Sequence, residues 1–323
     1  MDPEFARKHR EWVRCLSQKE SGTDSLDRNC ILAQVYDLMW SAAAFRTVQE
    51  ARALAEPLAG SAKKQSWLLH HLLNRSFYSA QAVAIRRLMD TGTIDGKKGV
   101  FALAPLIRDI RAHAALITRS NYFAAAELSL DFEAVKRAEW EFHENKASTC
   151  RSTTYFLPNA LDSGEVKRLH ETFDRLSGKA AANRTAQDTI APRVFENLVE
   201  RIARTRAICQ HVDKFIAHAA TPESREQIDE RASRIYLAEL WEAHELVCRL
   251  VQFLDQVLLR GMSHGLLPEF HGDQFEYIDV PLVRPEEVDI LREKWQSFAA
   301  EVGSWGEGSL AWVIGQGQPE SEE

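Results

Sequence analysis

The sequence predicts an all-α fold, an antiparallel bundle of long helices, and three observations carry that expectation. Apolar residues recur every three to four positions over long stretches, the spacing that places them on one face of a helix. The ten prolines and fifteen glycines are few, and many gather between those stretches, at Pro57/Gly60, Gly92/Gly96/Gly99, Pro158/Gly164, Pro192, Pro222 and Pro268/Gly272/Pro281/Pro285. There they punctuate the chain. Only Phe270 to Val283 hints at alternation, through Phe275, Tyr277, Ile278 and Val280. Pro281 and Pro285 confine that segment to a short irregular or extended arm near the C-terminus.

The opening Met1-Asp2-Pro3-Glu4-Phe5 reads as vector-derived and is set aside from the fold; it has neither the basic nor the apolar region of a signal peptide. Leu26, Cys30, Ala33, Tyr36 and Trp40 stand at helical spacing and predict a helix over Ser25 to Leu54. Trp67, His71, Tyr78, Ala82 and Ile85 predict a second from Ser61 to Asp90, stopped by Thr91-Gly92-Thr93. Two more are expected over Leu103 to Arg119 and Phe123 to Lys146, with Asn121 capping between them. Cys150 to Asp162 reads as a connector, Gly164 to Leu176 as a shorter helix, and Gly178 to Arg184 as a link.

Pro192 suits the first turn of a helix that Asp188 or Thr189 would cap and that ends near Ala219, before Pro222. Ser224 to Leu259 is again long and amphipathic, and a last helix is expected over Pro285 to Val302. The resulting organisation is N-terminal helices over 6–60, a helical core over 61–265, an arm and helix over 266–312, and a disordered tail over 313–323. No segment of 20–50 residues recurs, which argues against a solenoid.

Composition narrows function mainly by exclusion. A net charge of -7 and a pI near 5.9 exclude a protein coated in positive charge, so contact with RNA requires a local basic cleft. Five cysteines, none in a CxxC pair, suit reduced thiols in the cytoplasm. The apolar stretches fall short of the roughly 20 residues that span a bilayer, so no membrane contact is expected.

Common motifs are missing from the sequence: it has no glycine-rich phosphate loop, no HExxH and no nucleophile elbow. Glu139 and His143 stand one helical turn apart, but Leu240 holds the matching position before His244, so no metal and no cofactor is expected. His70-His71 lies on an apolar helix and reads as a packed or partly exposed pair at the core edge rather than as ligands.

The Pro192 helix carries Arg193, Asn197, Glu200, Arg204, His211, Lys214 and His218 on one broad face. Arg204, His211 and His218 are seven apart and drift only about 20° per step. Leu198, Ile202, Cys209, Val212 and Ile216 mark the core side. A solvated face gives the same pattern, yet Ile208 and Phe215 lie near this stripe and suggest that it meets a partner. Two imidazoles beside Arg204 and Lys214 suit phosphodiester scission: histidine moves a proton near neutral pH and guanidinium stabilises charge on phosphate.

The run Arg206 to His218, with Asp213-Lys214 followed by Ala217-His218, resembles the signature helix of HEPN domains of the abortive-infection branch. Tyr78 to Asp90, ending Ala84-Ile85-Arg86-Arg87-Leu88-Met89-Asp90, resembles that family's helix closing on an Arg-Leu-x-Asp turn. The resemblance implies an all-α, commonly dimeric bundle, with the signature helices of two subunits lining one cleft and metal-independent RNA cleavage in active members. It implies His218, His211 and Arg204 as catalytic residues and Lys214, Arg206 and Asp213 as the groups that meet RNA or phosphate. In the family, four to six residues separate the arginine from its histidine. Before His218 those positions hold His211, Val212 and Asp213, whereas His211 meets the count with Arg204 or Arg206. Two functions follow as expectations. One is an RNA-cleaving or RNA-binding component of a bacterial defence or toxin-antitoxin-type system. The other is a catalytically inactive module or scaffold for a protein or nucleotide partner.

Overall fold

The computed structural model describes residues 1–23, 25–54, 67–149, 157–218, 220–226, 230–261, 266–267, 273, 275–276 and 287–304. The chain divides into two units, Met1–Pro268 and Glu269–Glu323. The first holds α1 Pro3–Ser17, α2 Ile31–Leu54, α3 Trp67–Leu88, α4 Leu103–Ala112, α5 Arg119–Ala125, α6 Phe132–Thr149, α7 Ser163–Ser177, α8 Pro192–Ala203, α9 Arg206–His211, α10 Pro222–Glu226 and α11 Leu237–Gln252. The second holds α12 Val288–Ser304, on which Ile290, Leu291 and Trp295 are exposed. The fold is all-α: among the described residues only two isolated bridge pairs stand where a sheet would need strands. No described helix is long and apolar enough to cross a membrane. The expected arm over 270–283 lies mostly outside the described residues, as do the connector over 150–156 and the tail over 313–323.

The N-terminal residues take part in the fold. Asp2 caps α1, its carboxylate accepting from the backbone N–H of Glu4 at 2.8 Å and of Phe5 at 3.1 Å. Phe5 is only 2% exposed and shares a core with Trp12, Leu16, Ile107 and Ile110. Whatever the origin of Met1 to Phe5, their physical chemistry is that of a capped first turn and a buried aromatic. Asp109 of α4 anchors the same helix, accepting from Trp12 Nε1 at 2.7 Å and Lys8 Nζ at 3.2 Å.

α2 and α3 run antiparallel. Phe45 stacks on Phe77 with centroids 3.7 Å apart, and one turn further along α2 Gln49 donates to Asn74 at 3.0 Å, one turn back along α3. Val35, Leu38 and Ala42 of α2 and Ala82, Ile85 and Leu88 of α3 are buried in the faces that their helical spacing marks.

The structure divides several stretches expected as single helices. Leu103 to Arg119 ends at Ala112 and passes through a 3₁₀ turn, Ala114–Leu116, before Thr118 caps α5 by accepting from Asn121 N–H at 3.2 Å. Asn121 is therefore not the cap: it lies within α5, donates to Leu116 O at 2.9 Å and accepts from Asp2 N–H at 2.9 Å. Phe123 to Lys146 breaks around Glu127, whose φ of 57° leaves the helical region, and α6 restarts where Asp131 caps Ala134 N–H at 2.9 Å. Ser224 to Leu259 becomes α10, a 3₁₀ turn Glu230–Ser233, α11 and a π-helical stretch Phe253–Leu258. Widening the helix there leaves Val257 O to accept from Tyr122 OH at 2.5 Å.

Asp188 and Thr189 do not cap α8; Ala191 occupies the cap position. Asp188 instead belongs to a buried network around Arg119, which is 1% exposed. The Arg119 guanidinium donates to Asp174 at 2.9 Å and to Asp188 at 3.1 Å, and it lies over the Phe173 ring. Arg184 adds a second cation to Asp174 at 2.6 Å. Burial pushes both carboxylates up. Hydrogen bonds from Arg184 and Arg119 to Asp174, and from Thr185 and Arg119 to Asp188, outweigh it and hold both below the usual aspartate value. This network fixes the loop before α8 against α5 and α7.

Candidate functional site

The stretch expected as one helix from Pro192 to Ala219 is broken at Arg204–Thr205. Arg204 N–H bonds to Arg201 O at 3.1 Å and Thr205 N–H to Ile202 O at 3.0 Å, while the buried Thr205 hydroxyl donates to the same Ile202 carbonyl at 2.8 Å. Those short-range bonds close α8 with a tightened turn. α9 then restarts and runs into a π-helical stretch, Val212–Ile216. A seven-residue stripe assumes one uninterrupted period, so Arg204, His211 and His218 lose their common register.

Each implied site residue has its own surroundings. Arg204 is exposed and pairs with Glu200 at 3.8 Å. Arg206 is exposed at the start of α9. His211 Nδ1 is bonded to Ala232 O at 3.0 Å, and its ring stacks on Phe215 at 4.9 Å. Asp213 accepts from Arg86 Nε at 2.8 Å, and Lys214 Nζ donates to Ser224 Oγ at 2.7 Å. His218 is exposed beyond the π-helical stretch. Among the described residues no hydrogen bond or ion pair joins any two of Arg204, His211 and His218. Leu198 and Val212 are buried and Ile202, Cys209 and Ile216 pack against the core, as their spacing predicts.

A cavity of about 550 Å³ opens instead between α7, α8 and α11. Its floor is apolar, formed by Leu176, Val194, Leu198, Leu246, Leu250, Phe253 and Val257. Its polar lining comes from Arg175 and Thr172 of α7, Asn197 and Arg201 of α8, and Arg249 of α11. No acidic residue among those described lines it. Among the described residues neither Arg175 nor Arg201 has a carboxylate partner, and Arg249 pairs only with the exposed Glu245, at 2.7 Å. Such a surface pair holds its cation weakly. A neighbouring cavity, also about 550 Å³, shares Arg201, Leu246 and Arg249 and adds Arg204 beside Glu239, Glu242 and Glu245. Arg204 thus lines this second, carboxylate-bearing cavity and not the first.

The signal for the groove was only partly legible. Asn197 and Arg201 lie one helical turn apart on α8, yet the seven-residue stripe passes over Arg201. Arg175 and Arg249 come from other helices and join the site only through packing.

Two buried histidines lie elsewhere. His170, 8% exposed, meets Leu130 O at 3.1 Å, and burial lowers its pKa. His244, 3% exposed, has neither ring nitrogen hydrogen-bonded; burial and the nearby Arg46 lower its pKa to about 4. No group of three or more His, Cys, Asp or Glu among the described residues is placed to hold a metal ion.

Fold and cavity together define an all-α protein with an arginine-lined groove. No family model, no curated protein and no solved structure matches the chain.

Proposed function

We propose that this chain is a HEPN-like helical module that binds RNA in the groove between α7, α8 and α11 and does not cut it. One observation carries the reading: Arg175, Arg201 and Arg249, from three helices, converge on a cavity that no described carboxylate lines. Guanidinium groups bind phosphate bidentately, and an apolar floor that includes Phe253 gives a base a surface to stack on. The groove supplies the local basic cleft that an acidic protein needs to meet a polyanion. Against cleavage stand the separate surroundings of Arg204, His211 and His218. A place in a bacterial defence or toxin-antitoxin-type system, in the cytoplasm, rests on the HEPN resemblance and on cysteines of which none stands in a CxxC pair, and belongs to the same proposal.

Fluorescence anisotropy with a labelled single-stranded RNA tests this. Arg175→Glu/Arg201→Glu should weaken binding at least tenfold, and the slope of log K against log salt should fall by about 0.7 for each phosphate no longer neutralised. In chelator the RNA should stay intact with the wild type and with His211→Ala alike. Unchanged affinity in the double variant would refute the groove; RNA cut by the wild type and spared by His211→Ala would restore the nuclease.

A further inference from the structure

We infer that the second cavity, beside the RNA groove, is a pocket that reads guanine. The inference rests on the RNA-binding reading above and names the base that the groove selects. The cavity sets opposite charges against each other: Arg201 and Arg204 on the α8 side, Glu239, Glu242 and Glu245 on α11. Among the described residues no ion pair joins the two rows. Arg204 pairs along its own helix with Glu200 at 3.8 Å, and Glu245 along α11 with Arg249 at 2.7 Å. Between the rows lies a space of about 550 Å³, the size of a small-ligand site.

The two cavities form one groove, since both are lined by Arg201, Leu246 and Arg249. Along α11 the charge changes sign, from Arg249 back to Glu242 two turns away, about 10.5 Å at the helical rise. A carboxylate row repels phosphate, so the part of an RNA that enters this end is a base and not the backbone. Two turns match the reach of one nucleotide, from a phosphate held by Arg201 and Arg249 to the far edge of its base. Ile208 and Ala243, both buried, and Leu246 give the base an apolar surface to lie on.

Hydrogen-bond chemistry selects guanine. Its Watson–Crick edge offers two adjacent donors, N1–H and the N2 amino group, which one carboxylate accepts together. Adenine and cytosine place a ring-nitrogen lone pair beside their amino group, and uracil flanks its single N–H with two carbonyls, so each turns an acceptor towards the carboxylate. The opposite edge of guanine carries the acceptors O6 and N7, the pair that a guanidinium meets bidentately. Glu242 is the acceptor: it is exposed and has no hydrogen bond or ion pair among the described residues, whereas Glu239 accepts from Tyr236 N–H at 2.8 Å and Glu245 holds Arg249. Arg204 is the donor, because its surface pair with Glu200 holds it weakly.

Fluorescence anisotropy on the full chain, with a labelled oligouridine whose central base is changed to guanine, inosine, adenine or cytosine, is the test. The guanine RNA should bind about tenfold tighter than the others, inosine included, since it lacks only the 2-amino group. Glu242→Gln should lower the guanine RNA to the level of the rest, while the others keep or gain affinity as a negative charge leaves the groove. The circular dichroism of this exposed substitution should match the wild type. RNA bound by the wild type without preference for guanine overturns the inference alone and leaves the RNA-binding reading standing. So does a preference that survives Glu242→Gln, or an equal gain for every RNA, which would make Glu242 only a repelling charge. No binding to any of these RNAs would overturn the RNA-binding reading itself, and the pocket with it.

Discussion

His244 should make this protein lose stability in acid over a defined window. It sits on α11, 3% exposed, edge-on to Trp241 at 5.1 Å, with the Arg46 guanidinium 4.1 Å from that indole ring. Neither of its nitrogens is hydrogen-bonded, and burial first, then Arg46, brings its pKa from 6.5 to about 4. The unfolded chain therefore binds this proton more readily than the folded one. The contribution is complete above about pH 6.5 and disappears as pH falls to the folded value near 4, a loss of about 3 kcal/mol. Urea unfolding of the wild type and His244→Leu at several pH values between about 7 and 4 isolates it, because other titrating groups are common to both proteins and cancel in the difference. Leucine removes two unsatisfied polar atoms at little change in volume, so the variant should match or exceed the wild type at neutral pH and lead it by about 3 kcal/mol more near pH 4. A stability difference that does not change with pH would refute the reasoning.

Other substitutions probe the frame. Arg119→Met leaves Asp188, with 4% of its side chain exposed, and Asp174 without their buried cation; it should cost about 3–5 kcal/mol, seen as a large fall in melting temperature by circular dichroism. Because Asp174 and Asp188 are held below the usual aspartate value, their contribution is complete above about pH 4–5 and lost as pH falls further, and Arg119→Met should flatten that acid limb. Deleting Met1 to Phe5 removes both the Asp2 cap and a buried phenylalanine and should lower stability by about 3–5 kcal/mol in urea unfolding. Full stability in the deleted protein would return those residues to the status their sequence suggested.

How much was legible divides along the range of the forces involved. Helical periodicity is local, so the faces of α2, α3 and α8 that enter the core could be read from Val35 and Leu38, Ala82 and Ile85, and Leu198 and Ile202. Helix ends were less legible because a cap is chosen by competition. Asp188 has the chemistry to cap α8 but is claimed by Arg119 and Thr185, and Asn121 is drawn into α5 by Asp2 and Leu116.

The candidate site lay furthest from the sequence. The stripe of Arg204, His211 and His218 assumed a continuous helix, and nothing in the local pattern announced that Thr205 would turn its hydroxyl back on Ile202. The groove depends on Arg175, Arg201 and Arg249, which stand on three helices and share no linear pattern. What the sequence by itself determined is an all-α chain and the apolar side of most of its helices, since both follow from the spacing of neighbouring residues. Where those helices stop and which cations converge were decided by tertiary packing, because each depends on side chains far apart in sequence competing for the same partners and the same space.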